Sequence, residues 1–151
     1  MKFSSRARYG LRAMLELALN YNPEETMPLV QVAERQGISE GYLEQIMTLL
    51  RKGGLVRSVR GAQGGYRLTR EPGRVTVGEI VRCLEGPLSP TGCVSEEDPE
   101  TCVRADYCVT RVLWEKVRES IATVLDNTTL EDLCKETEKV RYSKAANMYY
   151  I

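Results

Sequence analysis

The pattern of apolar and polar positions predicts a mainly helical chain with one short hairpin. Apolar residues recur at helical spacing in residues 6–21, 29–36, 39–53, 76–86 and 110–126, and again after Thr129. Between the third and fourth segments, two strand-like stretches flank a glycine-rich turn, Arg60-Gly61-Ala62-Gln63-Gly64-Gly65. Two helices joined by a short turn and followed by a glycine-tipped hairpin are typical of a winged helix-turn-helix.

The third helix and the hairpin carry side chains suited to DNA. Core packing explains the apolar stripe Leu43, Ile46 and Leu50, and several polar side chains lie off that stripe. They are Tyr42, Glu44, Gln45, Thr48 and Arg51. Such side chains can contact base edges in a major groove, and Arg60 at the hairpin tip can contact a minor groove or a phosphate. The segment therefore predicts double-stranded DNA as a partner.

Charge is distributed unevenly along the chain. Residues 1–70 contain 11 Lys and Arg against 6 Asp and Glu, whereas residues 71–151 contain 10 against 15. The two parts thus carry +5 and −5, which suits DNA binding by the first and sensing or pairing by the second. In the first helix, Arg6, Arg8 and Arg12 either face solvent or contact phosphates.

Several classes of protein are disfavoured by what the sequence lacks. No histidine occurs, which removes Ser-His and Cys-His catalysis and histidine-ligated zinc. No phosphate-binding glycine loop precedes a helix, so an enzyme has little support. No apolar run is long enough for a signal peptide or a membrane span. We therefore expect a cytoplasmic protein without a membrane partner, in which the five cysteines stay reduced.

The cysteines fall into two groups. Cys83 and Cys134 lie in apolar helical surroundings, where a free cysteine is usually a small buried hydrophobe. Cys93, Cys102 and Cys108 lie in a polar, acidic loop, with spacings that lack the Cys-x-x-Cys pairs of structural zinc. An iron–sulfur cluster held by three thiolates and one other group fits this pattern better. The spacing alone equally allows reduced or redox-reactive thiols.

Four stretches carry a family resemblance: FSSRARYGLRAMLELA, ISEGYLEQI, LRKGGLVRSVRGAQGGYRL and VGEIVRCLEG. The chain resembles, over nearly its whole length, the bacterial winged-helix regulators that include IscR, NsrR and CymR. The resemblance implies a homodimer that binds an inverted repeat, with a long C-terminal helix crossing to the partner. It also implies the DNA contacts, which are Ser39, Tyr42, Glu44 and Gln45 in the major groove and Arg60 with Gly61 in the minor groove.

The resemblance also favours an iron–sulfur cluster, of the two-iron two-sulfur type, on Cys93, Cys102 and Cys108. IscR has a histidine shortly after the third cysteine, but the matching residue is Arg111, which cannot ligate iron at neutral pH. NsrR uses an acidic residue near the N-terminus of the partner subunit, where this chain has Arg8. The fourth ligand must then be a water, a thiol or a carboxylate. The able carboxylates are Glu96, Glu97, Asp98, Glu100 and Asp106, of which Asp106 is favoured.

Other stretches, LEGPLSP, VLDNTTLEDL and MYYI, resemble CymR, a type that lacks the cluster cysteines and responds to cysteine supply through a partner enzyme. One alternative is therefore a cluster-free regulator of cysteine metabolism, controlled by a cysteine-biosynthesis enzyme or by thiol oxidation. An alternative of another class is a metal or redox carrier whose front half is a dimer scaffold.

We predict three regions: a winged helix-turn-helix domain in residues 1–86, a cluster-binding loop in 87–108, and a dimerisation helix with a C-terminal helix and tail in 109–151. The apolar stripe of the dimerisation helix is Leu113, Trp114, Val117, Ile121, Val124 and Leu125, which suits a core or a dimer seam, and the resemblance favours the seam. The tail from Arg141 is either disordered or packed on the partner. The expected function is a transcription regulator, of repressor type, for genes of iron–sulfur cluster assembly or cysteine and sulfur metabolism.

Overall fold

The computed structural model describes residues 1–149, which form six α-helices and a two-stranded antiparallel sheet. The helices are α1 (Ser5–Leu19), α2 (Leu29–Gln36), α3 (Glu40–Lys52), α4 (Val77–Glu85), α5 (Val109–Asp126) and α6 (Leu130–Met148). The strands are β1 (Val56–Val59) and β2 (Gly65–Leu68), and 3-10 turns lie at Pro72–Arg74, Gly92–Val94 and Ala105–Tyr107. The predicted mainly helical fold with a hairpin wing is confirmed.

Several helices begin where the sequence supplies a capping side chain. Ser39 Oγ accepts a hydrogen bond from the Tyr42 N–H at 3.2 Å, which starts α3. Thr76 and Thr129 each form a capping box with the acidic residue three positions later, at the starts of α4 and α6. α1 ends at Leu19 rather than at the predicted residue 21, and the side-chain amide of the next residue caps its final turn.

α1 lies at the centre of the fold and contacts α2, α3, α4 and α6. Its Met14 is fully buried and belongs to one core cluster with apolar side chains of the other helices. Those side chains include Val32, Leu43, Ile46, Leu50, Ile80, Leu84 and Leu130. At Gly10, a Cβ atom would overlap the Leu84 side chain, so the glycine lets this side chain of α4 lie directly against α1. Close packing against α1 therefore fixes the position of α3.

The wing is tied to the segment that leads into α2. β1 and β2 pair in register from Val56 opposite Leu68 to Val59 opposite Gly65. Met27 exchanges two backbone hydrogen bonds of 2.9 Å with Tyr66. A Cβ atom on Gly65 would overlap the Met27 backbone, so this close approach again requires glycine. The wing thus has a fixed base close to the helix-turn-helix.

α5 and α6 differ from the other helices in how little they bury. Along α5, the whole of which the structure describes, no residue is buried, and Leu113 and Trp114 stay 55% and 38% exposed. α6 continues as a helix to Met148, so residues 141–148 of the predicted tail are helical, and Tyr150 and Ile151 lie outside the described residues. None of the helices described in the structure is long and apolar enough to cross a membrane.

Candidate nucleic-acid interface and cysteine segment

The outer side of α3 carries the residues predicted to contact the major groove. Glu44, Gln45 and Arg51 are exposed, and Tyr42 is half-buried. The Ser39 hydroxyl accepts the Tyr42 N–H, and its own hydrogen can still be donated to a phosphate oxygen. α3 thus presents a polar surface over its first turns, while its opposite side is held in the core.

The wing places one cation on a tight turn next to this surface. Arg51 donates from Nη1 to Ser58 Oγ at 3.3 Å, which joins the end of α3 to β1. Arg60 is exposed at the tip, and Gly61 follows it with a φ of 112°, which glycine adopts readily. The Gly64 N–H donates to the Gly61 carbonyl at 2.9 Å and closes the turn. Arg60 and Gly61, the residues predicted to contact the minor groove, are therefore both exposed at the tip of the wing.

Sequence reasoning missed a set of side chains on α1 that contacts the recognition helix. The rings of Tyr9 and Tyr42 meet edge to face, with centroids 6.1 Å apart and planes at 85°. The Arg12 guanidinium carbon lies 5.4 Å from the Tyr9 ring centre, and its Nε donates to Gln36 Oε1 at 2.8 Å. The two predictions for Arg12 were exposure to solvent and contact with a phosphate, and neither included these protein partners. The helical spacing of Tyr9, Arg12 and Glu16 on one side of α1 was the available signal.

The three loop cysteines occupy different surroundings. Cys93 is half-buried in a 3-10 turn, with its Sγ 3.3 Å from Thr91 Oγ1. Cys102 is exposed, and Cys108 precedes α5 with its Sγ 3.2 Å from Thr110 Oγ1. Within the part of the chain that the structure describes, no three Cys, Asp, Glu or His side chains are close enough together to hold a metal ion. The thiols suit a soft metal by their chemistry, but this arrangement does not gather them.

Glu96, one of the carboxylates able to act as a fourth ligand, is engaged by the body of the protein. Its two oxygens accept hydrogen bonds from Arg82 at 2.7 and 2.9 Å, and Oε2 also accepts the Leu88 N–H at 2.8 Å. The hydrogen bonds from Arg82 are the main reason that the pKa of Glu96 is lowered. Arg82 also pairs with Asp126 at the end of α5. Glu96 thus fastens the cysteine segment to α4 and is a poor candidate for iron.

Two other carboxylates lie beside the thiols in the chain. The Glu100 carboxylate packs against Gly92, which precedes the first loop cysteine, and the Glu100 N–H donates to the Gly92 carbonyl at 2.9 Å. Asp106 is exposed, two residues before the third loop cysteine. Glu100 and Asp106 therefore stay available as ligands.

Arg111, the residue that replaces the expected histidine, cannot take this role. Its Nε is buried 3.3 Å from Glu115 Oε1 without the alignment of a hydrogen bond, so the two form an ion pair only.

The thiols also differ in their ionisation. The pKa of Cys108 is lowered, chiefly by the hydrogen bond with the Thr110 hydroxyl and then by the Arg111 N–H. The pKa values of Cys83 and Cys134 are raised, chiefly because burial disfavours the thiolate. Both of these cysteines pack, half-buried, against the main core. The loop therefore contains the thiol most ready to ionise among these three.

An exposed polar recognition helix beside a glycine-tipped wing defines a winged helix-turn-helix DNA-binding protein. Residues 3–136 match the family described as Rrf2, iron-dependent transcriptional regulator. The chain belongs to the Rrf2 family. It is accordingly a transcriptional regulator and not an enzyme.

Named relatives support the same assignment. The chain is 43% identical over 151 residues to CymR of Bacillus subtilis strain 168, covering 100% of both chains. It is 42% identical over 138 residues to IscR of Xenorhabdus nematophila, covering 91% of this chain and 82% of that one. The solved structure of T. potens IscR matches with a TM-score of 0.75 at 46% identity, covering 93% of this chain and 90% of that one. The family resemblance is confirmed.

The difference in pKa predicts different pH dependences of alkylation for Cys108 and Cys83. In metal-free protein, iodoacetamide labelling should reach half its maximal rate at a lower pH for Cys108, because only the thiolate reacts. Peptide mapping by mass spectrometry at a series of pH values gives both curves. A Thr110→Val variant should move the Cys108 curve to higher pH and leave the Cys83 curve in place. Coincident curves for the two cysteines would contradict the prediction.

Proposed function

We propose that the protein is a homodimeric repressor that binds an inverted-repeat operator, and that an iron–sulfur cluster on Cys93, Cys102 and Cys108 modulates this binding. The observation that carries DNA binding is the exposed polar side of α3 beside the projecting Arg60. The target genes belong to cysteine and sulfur metabolism or to iron–sulfur cluster assembly. This choice rests on the likeness to CymR, whose solved structure is described as that of the global cysteine regulator of B. subtilis, and to IscR.

In the proposed complex, α3 enters the major groove and the wing meets the adjacent minor groove. Glu44 accepts a hydrogen bond from cytosine N4, and Gln45 pairs with the edge of an adenine. The Glu44 carboxylate repels phosphates, so it sharpens the choice of bases while lowering affinity. Arg51 neutralises a phosphate near the end of α3, and Arg60 with Gly61 enters the minor groove. Ser39 and Tyr42 complete the contact at the start of the helix.

The proposed dimer seam is the exposed part of the apolar side of α5. Ile121 and Leu125 of that side pack against the core cluster that contains Val77 and Val81 of α4. Leu113, Trp114 and Val124 stay exposed, on a helix that buries none of its described residues. A contiguous apolar surface of this kind marks an interaction site, since water contact with it is unfavourable. A two-fold dimer also matches the symmetry of an inverted repeat.

The donor set fits an iron–sulfur cluster by its chemistry. Cysteine thiolates are the usual ligands of such clusters, and the lowered pKa of Cys108 favours the form that binds metal. When bound, a cluster supplies one-electron redox chemistry, and the cluster itself can be lost from the protein. Cys93 lies in a 3-10 turn, Cys108 directly precedes α5, and Cys102 lies on the exposed stretch between them. Asp106 is the proposed fourth ligand.

A second candidate is a cluster-free regulator of cysteine metabolism. It is favoured by the lack of a gathered group of three metal-ligating side chains in the described part of the chain, and by the likeness to CymR. In this case thiol oxidation or a cysteine-biosynthesis enzyme acts on the same DNA-binding body.

Removal of the wing cation should weaken DNA binding. For a duplex selected from random sequences by the unaltered protein, Arg60→Ala should lower affinity by about tenfold and reduce the salt slope of log K by about one. Fluorescence anisotropy at several KCl concentrations measures both quantities. Arg74→Ala, on a 3-10 turn that contacts α6, is the matched control and should bind normally. Equal losses in the two variants would contradict a specific role for the wing.

A charge in the proposed seam should separate the dimer. Leu113→Glu should shift the protein from dimer to monomer in sedimentation velocity, because an ionised carboxylate would be buried without a partner. Leu113→Met keeps the apolar character and should remain dimeric. A dimer that survives Leu113→Glu with unchanged affinity would place the seam elsewhere.

The cluster is tested on protein purified without oxygen. The proposal predicts iron and acid-labile sulfide in similar amounts, together with visible charge-transfer absorption. A triple variant, Cys93→Ala with Cys102→Ala and Cys108→Ala, should lose all three signals, whereas Cys83→Ala with Cys134→Ala should keep them. Colourless, iron-free protein that still binds DNA after anaerobic reconstitution would reject the cluster and favour the second candidate.

A further inference from the structure

A connected set of side chains joins α1 to the first turn of the recognition helix. The set consists of Tyr9, Arg12 and Glu16 on α1, Gln36 at the end of α2, and Tyr42 on α3; we call it the α1 network. The set adjoins the surface proposed to contact DNA, and Tyr42 belongs to both.

The first link in the α1 network is aromatic. The Tyr9 and Tyr42 rings make an edge-to-face contact, with centroids 6.1 Å apart. This geometry is favourable because the positive edge of one ring meets the negative face of the other. Tyr42 is half-buried, so its ring is held by α1 rather than free in solvent. The position of Tyr42 therefore depends on Tyr9.

The second link turns Arg12 toward the protein. Its guanidinium carbon lies 5.4 Å from the Tyr9 ring centre, a distance that suits a cation–π contact. Arg12 Nε donates to Gln36 Oε1 at 2.8 Å, and Nη2 donates to the Gln36 carbonyl at 3.2 Å. Gln36 is the last residue of α2, directly before the left-handed Gly37 of the turn. Arg12 thus holds the turn that leads into α3.

The third link anchors the network in the core. Glu16 is only 9% exposed, and a buried carboxylate is costly unless it is paired. Its oxygens accept hydrogen bonds from Gln36 Nε2 at 3.0 Å and from Arg35 Nη1 at 2.7 Å. Loss of this arrangement would leave the carboxylate unpaired, which makes the position of Gln36 strongly determined.

We infer that Tyr9 and Arg12 are positioning residues for operator recognition, which place Tyr42 and the turn before α3 and contact neither base nor phosphate. This inference rests on the proposed DNA binding. Specific contacts require the first turn of α3 at one angle in the groove, whereas non-specific binding needs only charge. Loss of either residue should therefore reduce specific binding and leave non-specific binding unchanged.

The probes are a duplex recovered from a random library by the unaltered protein and a scrambled duplex of equal length. Tyr9→Leu and Arg12→Met should each weaken binding to the selected duplex by about 3- to 10-fold, as expected for aromatic and cation–π contacts. Binding to the scrambled duplex and the salt slope should not change, which also shows that the variants are folded. Tyr9→Phe keeps the ring and should bind like the unaltered protein.

A double-mutant cycle shows whether Tyr9 acts through Tyr42. In a Tyr42→Leu background, Tyr9→Leu should cause no further loss, whereas additive losses would mean an independent role and overturn the inference. A salt slope reduced by about one in Arg12→Met would mean a phosphate contact instead. A Tyr9→Phe loss equal to that of Tyr9→Leu would place the hydroxyl on DNA. If the unaltered protein selects no duplex at all, the proposed DNA binding fails, and the inference fails with it.

Discussion

The packing of α1 against four other helices is the contact on which the rest of the structure depends. Gly10 lets Leu84 of α4 lie directly on α1, and Glu16 on the same helix holds the end of α2. α3 is fixed between these neighbours, with Ile46 and Leu50 fully buried. Because interiors are close-packed, a shift of α1 would move the recognition helix as well. The rigidity of the DNA-facing surface therefore depends on how tightly α1 packs against its neighbouring helices.

A second constraint joins the cysteine segment to this body. Arg82 on α4 pairs with Glu96 of the segment and with Asp126 at the end of α5, and these carboxylates together raise its pKa. The Asp126 carboxylate also packs on Gly78, where a Cβ atom would overlap it. Three parts of the chain thus meet at one guanidinium. Such a network is held more firmly than an isolated surface pair, which contributes little.

Local features of this fold could be predicted from sequence, and distant pairings could not. Ser39, Thr76 and Thr129 start helices because capping involves only residues three positions away. The partners of Arg82, in contrast, lie 14 and 44 positions along the chain, and no periodicity in the sequence indicates such pairs. Gln36, the hydrogen-bond partner of Arg12, lies 24 positions along the chain and was missed for the same reason. The polarity of the cysteine loop was evident, but the engagement of its Glu96 with α4 was not.

The contacts of the cysteine segment decide how it can act on DNA binding under the proposed function. Val94, next to Cys93, is buried, and its carbonyl accepts a hydrogen bond from Arg118 of α5 at 3.0 Å. Cys102 is exposed, so binding of a group to all three thiols would move the stretch around Cys102 at the least energetic cost. Cys108 directly precedes α5, so a change in the position of its thiol would also act on the start of that helix. α5 is joined at its other end to Arg82, and its Leu113 and Trp114 are exposed, so under the proposed function it is the element through which the thiols would change the spacing of two recognition helices.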